Sequence, residues 1–212
     1  LIGSEGVLGN YYKKELAKNC KLLVAGDKIF KSKSIKKVQN VYIDLNDQKN
    51  IKNFFVEIKK KFGDFDILIN NAAFTTEETV RMGKKISANF ENFDNEIWDK
   101  TIAVNLTGVY LSCKYFIKYF HKKNLRQKII NVGSIYGSHS PHHNIYSQEN
   151  FFSNIAYTSS KSGLIGLTKW LATKYINQKT NVNIISPSGV FNNHNQRFLK
   201  KYLEILPINK MA

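Results

Sequence analysis

Five short apolar runs set the terms on which this chain can fold. Lys21–Ala25, Val41–Leu45, Phe65–Ile69, Lys128–Val132 and Asn181–Ser186 each suit a strand and are too short for a buried helix. Before and between them lie stretches with helical spacing, from about Asn10 to Ala17, Ile51 to Phe62, Asn95 to about His121, and Ala156 to Ile176. The second of these carries apolar residues at 51, 54, 55, 58 and 62, one face of a helix. Strands alternating with helices build βαβ units, and βαβ units build a parallel sheet covered on both faces. The expected fold is therefore α/β, a Rossmann-type doubly wound parallel sheet in three layers. With 212 residues and 42% hydrophobic content, one domain spanning 1–212 with a sizeable core is expected. Phe74 to Phe93 is polar and irregular, and reads as a loop at the carboxyl edge of the sheet.

In such sheets ligands sit outside the carboxyl ends of the strands. At the start of the chain, Gly3-Ser4-Glu5-Gly6-Val7-Leu8-Gly9 places three glycines just before a helical pattern. They permit a tight turn, close approach of backbone to a pyrophosphate, and a helix N-terminus facing that phosphate. A plain glycine-rich turn would show the same spacing. Asp27 follows the first run, about 20 residues after the glycines, where an acid can accept from an adenosine ribose hydroxyl; a turn aspartate would stand there equally well.

A proton-handling site is legible further along. Tyr157 and Lys161 are four apart and share a helix face. A free phenol titrates near pH ~10, and a neighbouring cation is expected to pull that value down. Ser134, just after the fourth run, is placed to hydrogen-bond the same substrate oxygen. Tyr110/Lys114, Tyr119/Lys123 and Tyr175/Lys179 share the spacing. Only Tyr157 follows a strand ending in serine, and only Lys161 precedes Ser162-Gly163, small enough for close helix packing.

Taken together, these residues resemble the classical short-chain dehydrogenase/reductase family over nearly the whole chain. Gly3 to Gly9 matches its glycine turn, Asn70-Asn71-Ala72-Ala73 its Asn-Asn-Ala-Gly stretch, and Pro187-Ser188-Gly189-Val190 the segment near the nicotinamide. Asn105, Ser134, Tyr157 and Lys161 match its four catalytic positions. The resemblance implies that Tyr157 is the acid/base and that Lys161 lowers its pKa and holds the nicotinamide ribose. It implies that Ser134 polarises the carbonyl and that Asn105 positions a water relaying protons towards Lys161. Asp44 and Leu45, ending the second run, join Asn71, Ala72 and Ala73 as cofactor contacts. The implied function is interconversion of an alcohol and a ketone, on a sugar or sugar nucleotide, using NAD(H) or NADP(H). NAD is favoured, because Asp27 would meet the ribose and Glu5 would repel a 2′-phosphate. A small-molecule substrate and a homo-oligomer (dimer or tetramer) follow from the same likeness, and a cytoplasmic location is expected because Cys20 and Cys113 suit a reducing compartment.

The departures are specific. Ile2 stands where the family has threonine, and Ala73 and Ser188 replace glycines. Ser138 to Asn154 reads as an insertion carrying His139, His142, His143, Tyr146 and Gln148, either a solvated loop or a substrate flap. Ser140-Pro141 interrupts the histidines, so no metal is expected. Only Leu1-Ile2 remain of the first strand and a last strand is missing, so the sheet is expected to be truncated at both ends. Two other readings stay open: a sugar-nucleotide epimerase or dehydratase, which the Gly3/Gly6/Gly9 spacing suits, and a non-catalytic nucleotide-binding module.

The net charge of +16 raises nucleic acid as a partner. Only three of the 32 basic residues are arginine and the lysines are scattered, so solvated faces are expected instead. Cys20 and Cys113 make no disulfide framework, and no apolar run approaches the ~20 residues of a membrane span.

Overall fold

The computed structural model describes residues 1–87, 89–122, 125–146, 154–194, 196–206 and 208–211. Helix α1 (Val7–Asn19) is followed by strands β1 (Leu23–Asp27) and β2 (Val38–Tyr42), helix α2 (Gln48–Phe62) and β3 (Ile67–Asn70). Then come α3 (Thr76–Arg81), α4 (Asn95–Ile102), a π-helical segment at Ala103–Thr107, and α5 (Gly108–Phe120). The chain continues through β4 (Gln127–Val132), α6 (His143–Tyr146), α7 (Ile155–Tyr175), β5 (Thr180–Ile185) and α8 (Gln196–Glu204).

All strand pairings are parallel: β1 with β2, β3 with β4, and β4 with β5. Leu1-Ile2 lies between the two groups. Ile2 N–H donates to Ile69 O at 2.9 Å and Gly26 N–H to Leu1 O at 2.8 Å, while Asn71 N–H donates to Ile2 O at 2.9 Å. The spatial order is thus β2, β1, Leu1-Ile2, β3, β4, β5, the doubly wound arrangement in which a short central segment joins the halves. The strands read as expected, with ends moved by a residue or two, except at the edge. Asp44 and Leu45 lie beyond β2 rather than in it. Ile43 N–H makes the last ladder bond, to Asp27 O at 3.0 Å. Being an edge strand, β2 buries only Val41, so its apolar pattern is weak in Val38-Gln39-Asn40.

The main core joins Ile51, Phe54, Phe55 and Ile58 of α2 to Val109, Phe116 and Phe120 of α5 and to the inner strands. Beneath the carboxyl ends runs a buried polar chain. Asn70 Nδ2 donates to Asn131 Oδ1 at 2.9 Å, and Asn131 Nδ2 to Thr168 Oγ1 at 2.9 Å. A second cluster forms at the cleft, where Ile145 and Tyr146 of α6 pack with Phe198, Tyr202 and Met211. The described part of 138–154 is thus divided: Pro141, Ile145, Tyr146 and Asn154 are buried, while Ser138, His139, Ser140, His142, His143 and Asn144 are exposed; Gln148 and the rest of 147–153 lie outside the described residues. The stretch from Phe74 to Phe93 is not wholly irregular. Thr75 and Glu78 form a reciprocal capping box that starts α3, a Thr-x-x-Glu signal present in the sequence. Among the described residues no helix is long and apolar enough to cross a membrane.

Candidate active site

One cavity of about 1090 Å³ runs along the carboxyl ends of the strands. At one end stands the glycine turn. Gly3 has φ +83°, and a Cβ there would lie 2.3 Å from Ala72 N. A Cβ on Gly9 would lie 2.0 Å from Gly3 O, so α1 can pack against the turn only without one. Gly6 differs: its Cβ would meet open space, and no side chain caps the first amides of α1. Open space before uncapped helix amides suits a pyrophosphate. The donor set therefore fits a dinucleotide. Gly3, Glu5, Gly6, Val7 and Leu8 line the cavity; Ser4 and Gly9 do not. Ser4 is fully buried, and its hydroxyl has no partner among the described residues.

Asp27, Asp44, Leu45, Asn71, Ala72 and Ala73 all line the same cavity, as do Pro187, Ser188, Gly189 and Val190. Asn71 Nδ2 donates to Gly3 O at 2.7 Å, tying the end of β3 to the glycine turn. Asp27 accepts from Glu5 N–H at 2.8 Å and from Lys28 N–H at 2.7 Å, which fixes its carboxylate. Lys28 also pairs with Asp44 at 2.9 Å. Glu5 is not the free charge the sequence suggests. Its carboxylate turns away from the phosphate end, onto Lys13, Ser32 and the Lys31 amide.

At the other end, Asn154 caps α7 by accepting from Tyr157 N–H at 3.1 Å, so Tyr157 sits in the first helical turn. Gly163 lets α7 approach closely, since its Cβ would lie 2.8 Å from Leu106 Cδ2. Lys161 is buried, with its ammonium 5.5 Å from the Tyr157 ring centroid and donating to Val132 O at 2.7 Å. The expected lowering of the tyrosine by this lysine is not what dominates. Burial pushes the Tyr157 phenol up, and a hydrogen bond from Ser134 only partly opposes it. Burial likewise lowers Lys161, to about 8. Both charged forms lose water, and the ammonium spends its hydrogen bond on a carbonyl rather than on the phenol. Of the other Tyr/Lys pairs, Tyr110 is exposed and Lys179 has left its helix with φ 58°, so neither repeats this arrangement; Lys123 lies outside the described residues.

Asn105 is fully buried in the π-helical segment and does not line the cavity. Its Oδ1 accepts from Phe74 N–H at 2.6 Å, and its Nδ2 donates to Phe74 O at 3.0 Å and Ser160 Oγ at 3.3 Å. The side chain thus anchors the segment after β3 to α7. Asn105→Ala strips both Phe74 groups of their partner, at about 1–3 kcal/mol for each left unsatisfied. The expected result is a melting point lower by about 2–4 °C per kcal/mol, with weaker cofactor binding. Calorimetry checks it, and an unchanged melting point would remove the anchor.

Several site residues were not legible. Tyr136 and Tyr202 line the cavity with Tyr146 and Tyr157. The hydroxyls of Tyr136 and Tyr146 lie 2.5 Å apart, and Tyr202 Oη accepts from Gly189 N–H at 2.7 Å. Asn192 Nδ2 reaches across the cleft to Glu77 at 2.5 Å. Nothing in spacing foretells contacts between segments so far apart.

A family model described as short chain dehydrogenase matches residues 2–202. The 3-oxoacyl-acyl-carrier-protein reductase FabG of Buchnera aphidicola is 30% identical over 177 residues, 80% of this chain and 63% of that protein. Glucose 1-dehydrogenase 2 of Bacillus subtilis is 27% identical over 154 residues, 73% of this chain and 52% of that protein. The chain thus spans between half and two thirds of the length of these two relatives. The crystal structure of a short chain dehydrogenase from Leptospira borgpetersenii with bound NAD+ matches with TM-score 0.86 at 27% identity, over 100% of this chain and 78% of that one.

Proposed function

The chain belongs to the short-chain dehydrogenase family, and from that premise we propose that it is a nicotinamide-dependent oxidoreductase interconverting an alcohol and a ketone. The observation that carries this reading is the convergence of Ser134, Tyr157 and Lys161 on the cavity that also holds the glycine turn. When bound, the nicotinamide gives or takes the hydride. In reduction Tyr157 Oη delivers a proton to the substrate oxygen, and in oxidation it takes one. Ser134 donates a hydrogen bond to that oxygen and orients it. Lys161 supplies positive charge beneath the ring, and Asn105 holds the floor of the site in place.

NAD is the proposed cofactor, since a fixed Asp27 carboxylate beside the glycine turn accepts from a ribose hydroxyl and opposes a phosphate. A hydroxyl-bearing ketone, a sugar or sugar nucleotide, is the proposed substrate. The support is the wall of phenols at Tyr136, Tyr146 and Tyr202, which offers hydrogen bonds where an acyl chain would need none.

The test is turnover of a panel of sugar alcohols and keto sugars with NAD(H), followed against pH. Carbonyl reduction is expected to run best below about pH 8, where Lys161 and Tyr157 both carry their protons. Because burial moves Lys161 down from its ordinary range, its charge is lost as pH rises through about 8, and kcat/KM should then fall about tenfold per unit. A reduction profile flat to pH ~10 would take Lys161 out of the mechanism. Failure to turn over any hydroxylated ketone, with simple ketones accepted, would overturn the sugar assignment alone.

A further inference from the structure

Lys13 is among the largest fully buried side chains, although it looks like any other lysine in a basic chain. Its ammonium reaches the Glu5 carboxylate and donates to Ser32 Oγ at 2.6 Å. The same carboxylate accepts from Lys31 N–H at 3.1 Å, Ser32 N–H at 3.0 Å and Ser32 Oγ at 2.8 Å. An ion pair needs only the lysine. Here two consecutive amides, a hydroxyl and an ammonium converge on one anion, the donor set that a phosphate monoester asks for. Burial pushes the Glu5 carboxyl up, but the bonds from Lys13, Lys31 and Ser32 outweigh it and hold it at about 2. The group is therefore an anion at any working pH.

The position gives this cluster its meaning. Glu5 N–H is held by Asp27, and Glu5, Asp27 and Lys31 all line the adenosine end of the cavity. Asp27 stands where an acid meets the ribose 2′-hydroxyl. We propose that Glu5 plugs a phosphate seat beside the ribose, and that this internal carboxylate is what bars the 2′-phosphate of NADP from the cleft. The proposal rests on the nicotinamide-cofactor reading above and adds the residue that sets cofactor choice. Removing Glu5 leaves Lys13, Ser32 and two amides aimed at an open seat, and a 2′-phosphate supplies the missing charge.

The experiment titrates NADH and NADPH by fluorescence into the parent chain, Glu5→Ala, and Glu5→Ala/Lys13→Met. The parent should bind NADH at least tenfold tighter, about 1.4 kcal/mol. Glu5→Ala should raise the ratio of NADPH to NADH affinity at least tenfold, and the double variant should lose that gain. An NADPH/NADH ratio unchanged in Glu5→Ala, or the same in single and double variants, overturns the proposal. A second arm needs no nicotinamide: inorganic phosphate should raise the melting point of Glu5→Ala but not of the parent or the double variant. If the parent binds neither dinucleotide, the oxidoreductase reading fails, and the phosphate arm alone decides the seat. If Glu5→Ala does not fold, Glu5→Ser opens the seat while offering Lys13 a hydroxyl and carries the same readouts. Absence of phosphate-dependent stabilisation there overturns the seat.

Discussion

Tyr157→Phe should lower kcat by about 10²–10⁴-fold, the range over which a positioned acid/base contributes. The ring keeps its packing near Lys161, and only the hydroxyl that moves the proton is lost. Affinity for NAD(H) should hold within about threefold, so the loss falls on turnover rather than binding. Tyr110→Phe and Tyr175→Phe should leave kcat unchanged. Stopped-flow turnover with a binding titration decides the matter. A variant that keeps more than a few per cent of the parent's kcat would move the acid/base elsewhere.

The second large effect is expected at Gly3. Its φ of +83° belongs to the left-handed region, and an added Cβ would lie 2.3 Å from Ala72 N and 2.4 Å from Ala72 Cα, both backbone. Neither can swing aside as a side chain could. Left-handed backbone in a non-glycine residue costs about 1–2 kcal/mol, and forced overpacking about 1–3 kcal/mol more. Gly3→Ala should therefore lose about 2–5 kcal/mol and melt roughly 4–20 °C lower. It should also bind NAD(H) weakly, because the turn is pushed off the Asn71 hook. Gly6→Ala is the control, since open space surrounds that position and φ is −71°. It should melt like the parent while still crowding the pyrophosphate. Equal melting of Gly3→Ala and the parent would mean that the turn yields more than its contacts allow.

How far these features were legible follows from their range along the chain. The strands of the inner sheet declare themselves through runs such as Lys128–Val132, because burial on both faces leaves no choice but apolar residues. The edge strand β2 carries Gln39 and Asn40 and hid its own start. Tyr157 and Lys161 were legible because four residues on a helix fix a geometry by themselves. Their electrostatics were not, because burial is a property of the whole packing: Lys161 is pushed down and Tyr157 up by residues remote in sequence. Glu5 shows the same limit. Its spacing predicts a repelling charge in the phosphate turn, while its fate depends on Ser32 folding back 27 residues later. The bonds of Asn105 to Phe74 were hidden likewise, since only the structure brings that residue to its amide.

The Asn70–Asn131–Thr168 chain bears on how faithfully the molecule folds. Apart from Asn70 and Asn131, β3 and the part of β4 it pairs with are almost wholly aliphatic inside the sheet, and aliphatic strands can slide past one another at small cost. Asn70 stands opposite Asn131 in the native pairing. A slip of two residues would set it against Ile129, leaving amides buried without partners at about 1–3 kcal/mol each. It would also shift Asn71 about 6–7 Å along the sheet relative to Ser134. Two amides too deep to touch any substrate thus act as the alignment pin of the assembly, rejecting frame-shifted sheets in which the hydroxyls and the glycine turn would never meet.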